Sequence, residues 1–283
     1  NPKISELVKD AQSCEVRADD LTRALYATDA SIYQITPAAV AFPKTAEEAA
    51  KTIGAAVTAN LDVIPRGAGS GLAGGALGDG LVIDFARHNR RISEFNPEAR
   101  TVRVGAGVVL DQLNAFLQPH GLTFGPDVAT SSRATFGGMI GNNSSGARVP
   151  VHGTTIDHVR SLELVMANGT VVEVGAGKTG LSHVREAVDR LLAGREDLIR
   201  ERFHEGIIKR WPGYGLDRYL RRPGDLTQLL GGSEGTLAGV FSAEVNVVPL
   251  PAEKGIGLVF FASIEEAMQA TVELLDLAPA AIE

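Results

Sequence analysis

The stretch Pro65-Arg-Gly-Ala-Gly-Ser-Gly-Leu-Ala-Gly-Gly-Ala-Leu-Gly-Asp-Gly80 places seven glycines in sixteen residues. The apolar run Leu61-Asp-Val-Ile64 leads into it and Leu81-Val-Ile-Asp84 leads out. Both runs read as buried strands. Glycines between two such strands let bare backbone N–H groups crowd around an anion, because no Cβ blocks the approach. The anion such a loop suits in an enzyme is the diphosphate of a nucleotide cofactor. Gly67-x-Gly69-x-Gly71 alone could be a Rossmann fingerprint, but that motif needs a helix directly after it. Here a glycine-rich run and then a strand follow, and a plain turn would need only one or two glycines.

Working outward, the neighbouring segments build an α/β unit. Val40-Ala-Phe-Pro43 reads as a short strand. Thr45 with Glu48 three residues on is a capping box, and Ala49, Ile53, Ala56 and Val57 fall on one helical face up to about Ala59. Further upstream, helices are expected near Ile4–Ala11 and Asp19–Leu25. Downstream, Thr101–Val104 alternates as a strand. Leu110, Leu113 and Leu117 form a helical stripe that Gly121 stops. Residues 125–155 carry little helical or strand period over their length, and loops this long are usually functional. Leu162–Met166 and Thr170–Val174 flank Asn168-Gly169, a hairpin signal. Residues 183–205 read as helix with a break at Gly194, and 206–230 are ambiguous. Gly239–Pro249 alternates as a strand, Ile256–Phe261 reads as another, and Ser263 with Glu266 caps a helix running to Leu277.

Composition narrows the function classes. The chain has 283 residues, 44% of them apolar, and a formal net charge of −7, which argues against a nucleic-acid partner. One cysteine, Cys14, cannot form an internal disulfide or build an iron–sulfur site within the chain. That fits a reducing compartment, so a cytoplasmic location is expected. No apolar run is long enough for a membrane span.

Two more segments carry chemistry. Gly125-Pro-Asp-Val-Ala-Thr-Ser-Ser-Arg-Ala-Thr-Phe-Gly-Gly-Met-Ile-Gly-Asn-Asn-Ser-Ser-Gly-Ala-Arg148 combines hydroxyls and small residues that could bind phosphate, ribityl or ring atoms. Its Phe136, Met139 and Ile140 are apolar enough for a core, which argues against a free surface loop. Gly231-Gly-Ser-Glu-Gly-Thr-Leu-Ala-Gly-Val240 suits a ligand loop or a tight turn equally. His152 and Arg148 are the candidates for a catalytic role. His158 reads as structural, and His88, His120, His183 and His204 lack a paired metal spacing.

Taken in order, Arg66-Gly-Ala-Gly-Ser-Gly71, Gly125-Pro-Asp127 through Gly146, Gly153 and Gly232-Ser-Glu-Gly-Thr236 resemble the FAD-linked oxidases of the vanillyl-alcohol-oxidase/p-cresol-methylhydroxylase superfamily. The closer likeness is to the FAD domain of glycolate, D-lactate and D-2-hydroxyglutarate dehydrogenases, over about residues 20 to 283. Ala129–Ile140 is especially similar to long bacterial members that carry a C-terminal iron–sulfur module. The resemblance implies an α+β chain in which a PCMH-type FAD-binding domain of two α/β subdomains precedes the start of a truncated cap domain. It implies boundaries at 1–37 for an N-terminal helical segment, 38–250 for the FAD-binding domain (subdomains about 38–98 and 99–250), and 251–283 for the beginning of the cap. Cofactor contacts would come from Arg66, Gly67, Ala68, Gly69, Ser70, Gly71 and Leu72 at the diphosphate. Pro126, Asp127, Thr130, Ser131, Thr135, Gly137, Gly138, Asn142, Ser145, Gly146, Gly153 and Val240 would line the rest.

Where covalent members carry a histidine in the glycine loop, this chain has Ser70, and Cys14 is far upstream, so non-covalent FAD is expected. A divalent metal or iron–sulfur cluster is expected only in regions absent from this chain, and this chain alone is expected to be inactive without its cap. The implied activity is oxidation of a 2-hydroxy acid, with electrons passed to an iron–sulfur module or a quinone-linked partner. Such a partner could bring the protein to a membrane surface, and a homo-oligomer is compatible with the family. Two alternatives stay open: a non-catalytic FAD-binding module or fragment, and an enolpyruvyl-reductase-like NADPH flavoenzyme. The lack of a recognisable nucleotide-sugar site in 206–230 counts against the second.

Overall fold

The computed structural model describes residues 14–203 and 213–282. The helix expected near Ile4–Ala11 lies outside them. The described chain begins with strand β1 (Glu15–Arg17), which the sequence reading lacks, and helix α1 (Asp20–Leu25), capped by Asp19. Strand β2 (Ala39–Phe42), helix α2 (Ala46–Thr58), β3 (Val63–Arg66) and β4 (Leu81–Asp84) follow. The Thr45 hydroxyl accepts from Glu48 N–H, as the capping box predicts, while the Glu48 carboxylate reaches back to Lys44 N–H. β3 starts two residues later than expected. Leu61 is spent closing α2, where its N–H donates to Ala56 O. These strands form one sheet in the order β1-β2-β4-β3, with β2, β4 and β3 parallel and β1 antiparallel to β2.

The second sheet is antiparallel. Its strands are β5 (Ile92–Asn96), β6 (Thr101–Gly105), β8 (Val159–Val165), β9 (Val171–Gly175) and β10 (Gly239–Asn246), in the order β5-β6-β10-β8-β9. β5, not expected from the sequence, is an edge strand whose exposed residues blur the alternation. Between β6 and β8 lie α3 (Leu110–Leu117), the two-residue β7 (Leu122–Thr123), α4 (Phe136–Asn142) and a single turn, α5 (Val149–His152). The stripe Leu110, Leu113 and Leu117 is fully buried, and Gly121 ends it with φ +67°. The β8–β9 hairpin turns at Gly169, φ +76°. After β9 come α6 (Ser182–Leu192) and α7 (Glu196–Arg202), broken at Gly194 as expected. Then come α8 (Leu216–Arg221), α9 (Thr227–Leu230), β11 (Val248–Pro249) paired with β7, and α10 (Ile264–Leu274).

Two sequence expectations are corrected. Residues 125–155 contain α4, which buries Phe136, Met139 and Ile140. Three glycines in seven positions hide it from propensity, and burial of that one face holds it. Ile256–Phe261 forms no strand; Ile256 and Phe260 are more than 90% exposed. A strand needs a ladder partner, and none pairs with this run among the described residues.

An apolar cluster joins the two sheets. It unites Ala39 and Ile83 of the first, and Phe85 just after β4, with Val165 of the second and Ala106 just after β6, and Phe241 packs against it. Beyond Val165 the same face of the second sheet turns polar, while its opposite face, with Val102, Val104, Leu162, Leu164, Ala243 and Val245, packs into a second apolar cluster with Leu110, Leu113 and Leu117. Arg103 bridges Glu94 and Glu173, and Lys178 pairs with Glu173 at 2.8 Å.

Replacing Leu113 by alanine should cost about 2–5 kcal/mol in denaturant unfolding, because that side chain is fully buried. The Glu173 carboxyl is held down at about 2, first by Lys178, then by Arg103 and Ser161 against opposing desolvation. Its stabilising contribution is full above the ordinary value of 4.5 and is lost as pH falls toward about 2. Glu173→Gln should therefore flatten the acid limb of a stability-versus-pH curve, by less than about 1 kcal/mol for so exposed a pair.

Candidate functional site

The β3–β4 loop, the start of α4 and the segment before β10 line a groove that is open to solvent. The sequence dictates why three backbones can meet there. A Cβ on Gly67 would overlap the Thr135 hydroxyl and stand 3.5 Å from Gly138 N. Thr135 sits at the N-cap position of α4 in extended conformation, yet its hydroxyl does not cap the helix. The residue is 3% exposed, and its Oγ1 has no hydrogen-bond partner among the described residues. Phe136 N–H and Gly137 N–H are instead spent on Val108 O and Ala106 O, which pins the helix to the chain leaving β6. A buried hydroxyl without a partner costs stability and marks a place where a ligand atom can supply the missing bond.

The groove gathers most of the residues singled out in the sequence. Arg66 through Leu72, Thr130, Thr135, Gly137, Gly138, Asn142 and Val240 all line it. The Arg66 side chain donates to backbone carbonyls within the protein. Six of the expected cofactor contacts are not in the lining. Pro126 is buried beside Asp127, whose carboxylate takes Arg148 Nε at 2.6 Å, and a Cβ on Gly146 would overlap Asp127. Ser131 is used in a turn, its carbonyl accepting Asp111 N–H and its N–H donating to Val128 O. Ser145 follows Ser144, a lining residue, and Gly153 lies against Asp157 with φ +68°.

The two catalytic candidates sit in this neighbouring layer. Arg148 is engaged by Asp127. His152 is held below the ordinary histidine range by burial, then by Arg148 and His158, so it is neutral at neutral pH. Its carbonyl meets His158 Nε2 at 2.8 Å. Neither candidate lines the groove.

Sequence reasoning left out several lining residues. Ser233, Glu234, Gly235 and Ala238 come from the third glycine motif, whose two readings the local pattern could not separate. Glu234 adopts φ +53°, its N–H donates to Gly141 O at 2.9 Å, and desolvation raises its carboxyl pKa. Phe85, Ala106 and Met139 form an apolar wall with no chemical signature in the sequence.

A groove with one glycine-backed side, one apolar side and an orphaned hydroxyl fits a ligand that carries an anionic linker and a planar group. No group of three His, Cys, Asp or Glu side chains among the described residues is placed to hold a metal ion, and no described helix is long and apolar enough to cross a membrane.

Comparison with known proteins agrees with this reading. Residues 37–175 match the FAD binding domain family. The chain is 39% identical over 259 residues to a D-2-hydroxyglutarate dehydrogenase of Pantoea ananatis, covering 86% of this chain and 25% of that protein. It is 32% identical over 267 residues to the glycolate oxidase subunit GlcD of Bacillus subtilis, covering 92% of this chain and 48% of that one. The chain thus spans about a quarter to a half of the length of these relatives. A solved alkyldihydroxyacetonephosphate synthase superposes with a TM-score of 0.69 at 18% identity, covering 97% of this chain and 50% of that one, and so shares the α+β fold. The match to the FAD binding domain family covers residues 37–175, just under half of the chain.

Proposed function

We propose that this groove holds FAD without a covalent bond, and that the chain is the cofactor-binding part of an oxidoreductase acting on a 2-hydroxy acid of the D-2-hydroxyglutarate, D-lactate or glycolate kind. The observation that carries the reading is the glycine-backed cradle facing the unpartnered Thr135 hydroxyl. The two relatives above support the substrate class by their names. When bound, FAD supplies the hydride acceptor for oxidation of the carbon bearing the hydroxyl.

The chain's own residues bind and orient. Main-chain N–H groups of Gly67 to Gly71 are offered to the diphosphate, and the Thr135 O–H provides a donor beside them. Phe85, Ala106, Met139 and Val240 exclude water from the wall opposite. Neither Ser70 nor the distant Cys14 suggests a covalent tether. Residues 251–283 begin the domain that covers the substrate. The exposed Ile256 and Phe260, and the absence of any buried residue on α10, support that role. The base that takes the substrate's proton belongs to that covering domain, and electrons leave to an iron–sulfur module or a quinone-linked partner in the cytoplasm.

Titration of the purified chain, followed by flavin fluorescence, tests the reading. FAD should bind more tightly than FMN, because FMN lacks the second phosphate, and acid precipitation should release it intact. Equal affinity for FMN and FAD, or no binding of either, overturns the proposal. Thr135→Val should separate the hydroxyl's two roles. The ligand-free protein should gain about 1 kcal/mol, since an unsatisfied buried hydroxyl is removed, while FAD affinity falls. Thermal melting with and without FAD checks both signs.

A further inference from the structure

Arg66 ends β3 and is 9% exposed, and its guanidinium is spent on main-chain carbonyls. Nη1 donates to Tyr26 O and to Ala76 O, each at 3.2 Å, and Nη2 donates to Thr28 O at 2.7 Å. One planar fork therefore ties the far end of the glycine loop to a segment forty residues upstream. The Tyr26 ring lies 5.2 Å from the guanidinium carbon, and its hydroxyl donates to Asp84, the residue paired with Arg66 across β3 and β4. The upstream segment meets the loop twice more. Ala30 N–H donates to Gly69 O at 2.9 Å, and the Tyr33 ring covers Gly74 so closely that a Cβ there would stand 2.9 Å from it. Gly69, at φ +65°, leaves room for the fork, since a Cβ would stand 2.8 Å from Arg66 Nη2. A bridge between Thr28 and Gln34 closes the segment on itself. All of it precedes residues 37–175, the part that matches the FAD binding domain.

We propose that Tyr26–Tyr33 is a strap that shapes the cofactor groove from outside the matched domain, and that Arg66 is a positioning residue whose guanidinium locks the strap to the glycine loop. This rests on the reading that the groove holds FAD. A glycine loop has more conformational freedom to lose than any other, so fixing it beforehand raises affinity without any new contact. Here the charge of Arg66 serves three carbonyl dipoles, and the diphosphate is left to the loop's N–H groups.

The test is FAD affinity of the 283-residue chain by fluorescence titration at low and high salt. Arg66→Lys keeps the charge and loses the fork. Its Kd should rise about tenfold or more, and by the same factor at both salt concentrations, because no charge contact with the cofactor is removed. Ala30→Pro deletes the strap-to-loop N–H and changes no charge; it should weaken FAD in the same direction. Free guanidinium ion should restore part of the affinity of Arg66→Ala. A loss at Arg66→Ala that shrinks with added salt assigns Arg66 to the diphosphate and overturns the proposal. So does wild-type affinity in both Arg66→Lys and Ala30→Pro; if Arg66→Lys does not fold, Ala30→Pro decides alone. A wild-type chain that binds no FAD removes both this proposal and the function it rests on, whereas tight wild-type binding with unaffected variants removes only the strap.

Discussion

Parallel pairing of β3 with β4 is the constraint from which the site follows. Two adjacent parallel strands cannot be joined by a tight turn; the chain must travel back the length of a strand before pairing again. Most α/β proteins make that return with a helix packed on the sheet. Here residues 67–80 make it as a glycine-rich loop, so backbone and not side chain lies across the strand ends. The register that sets Arg66 opposite Asp84 fixes both roots of the loop. Between those roots the loop has little internal structure, and contacts from elsewhere must hold it.

Those contacts come from two directions. On one side α4 leans its Thr135–Gly138 end against Gly67, and α4 is itself held by the buried Phe136, Met139 and Ile140 and by bonds to Val108 and Ala106 carbonyls. On the other side, residues 26–33 reach Gly69, Gly74 and Arg66. The groove exists because the two sheets share an apolar cluster that fixes the distance between the loop and the helix. Close packing makes such a distance stiff, since small changes of volume in a dense core are felt.

Charge is distributed to match. The groove is lined mainly by backbone, small residues and apolar side chains, with Arg66 already committed to carbonyls and Glu234 the acidic group at its edge. A set of ion pairs lies instead on the polar part of one face of the five-stranded sheet, around Arg103 and Glu173. There charges are partly hydrated and each contributes little. Main-chain N–H groups near an anion need no counter-charge to be desolvated first, which suits a groove that binds a charged linker next to an apolar ring.

Much of this was legible in the residues themselves. Glycine density between two apolar runs announced a loop on strand ends, because only glycine admits that approach. Thr45 with Glu48, the Leu110–Leu113–Leu117 stripe and Asn168-Gly169 gave their elements through local hydrogen bonding and periodicity. The family likeness rested on motifs of the same local kind. What local pattern could not supply was partnership across the chain. The helix at Phe136–Asn142 contradicts its own propensity and exists through its burial. Ile256–Phe261 has a strand's composition and no ladder to join among the described residues. The ordered motifs placed Arg66 and Thr135 at one site, but only the fold shows that the arginine is turned to carbonyls forty residues away and that the threonine's hydroxyl is left without a bond. Sequence determines what each segment can do alone; which groups end up satisfied, and which are left open for a ligand, is decided when distant segments pack.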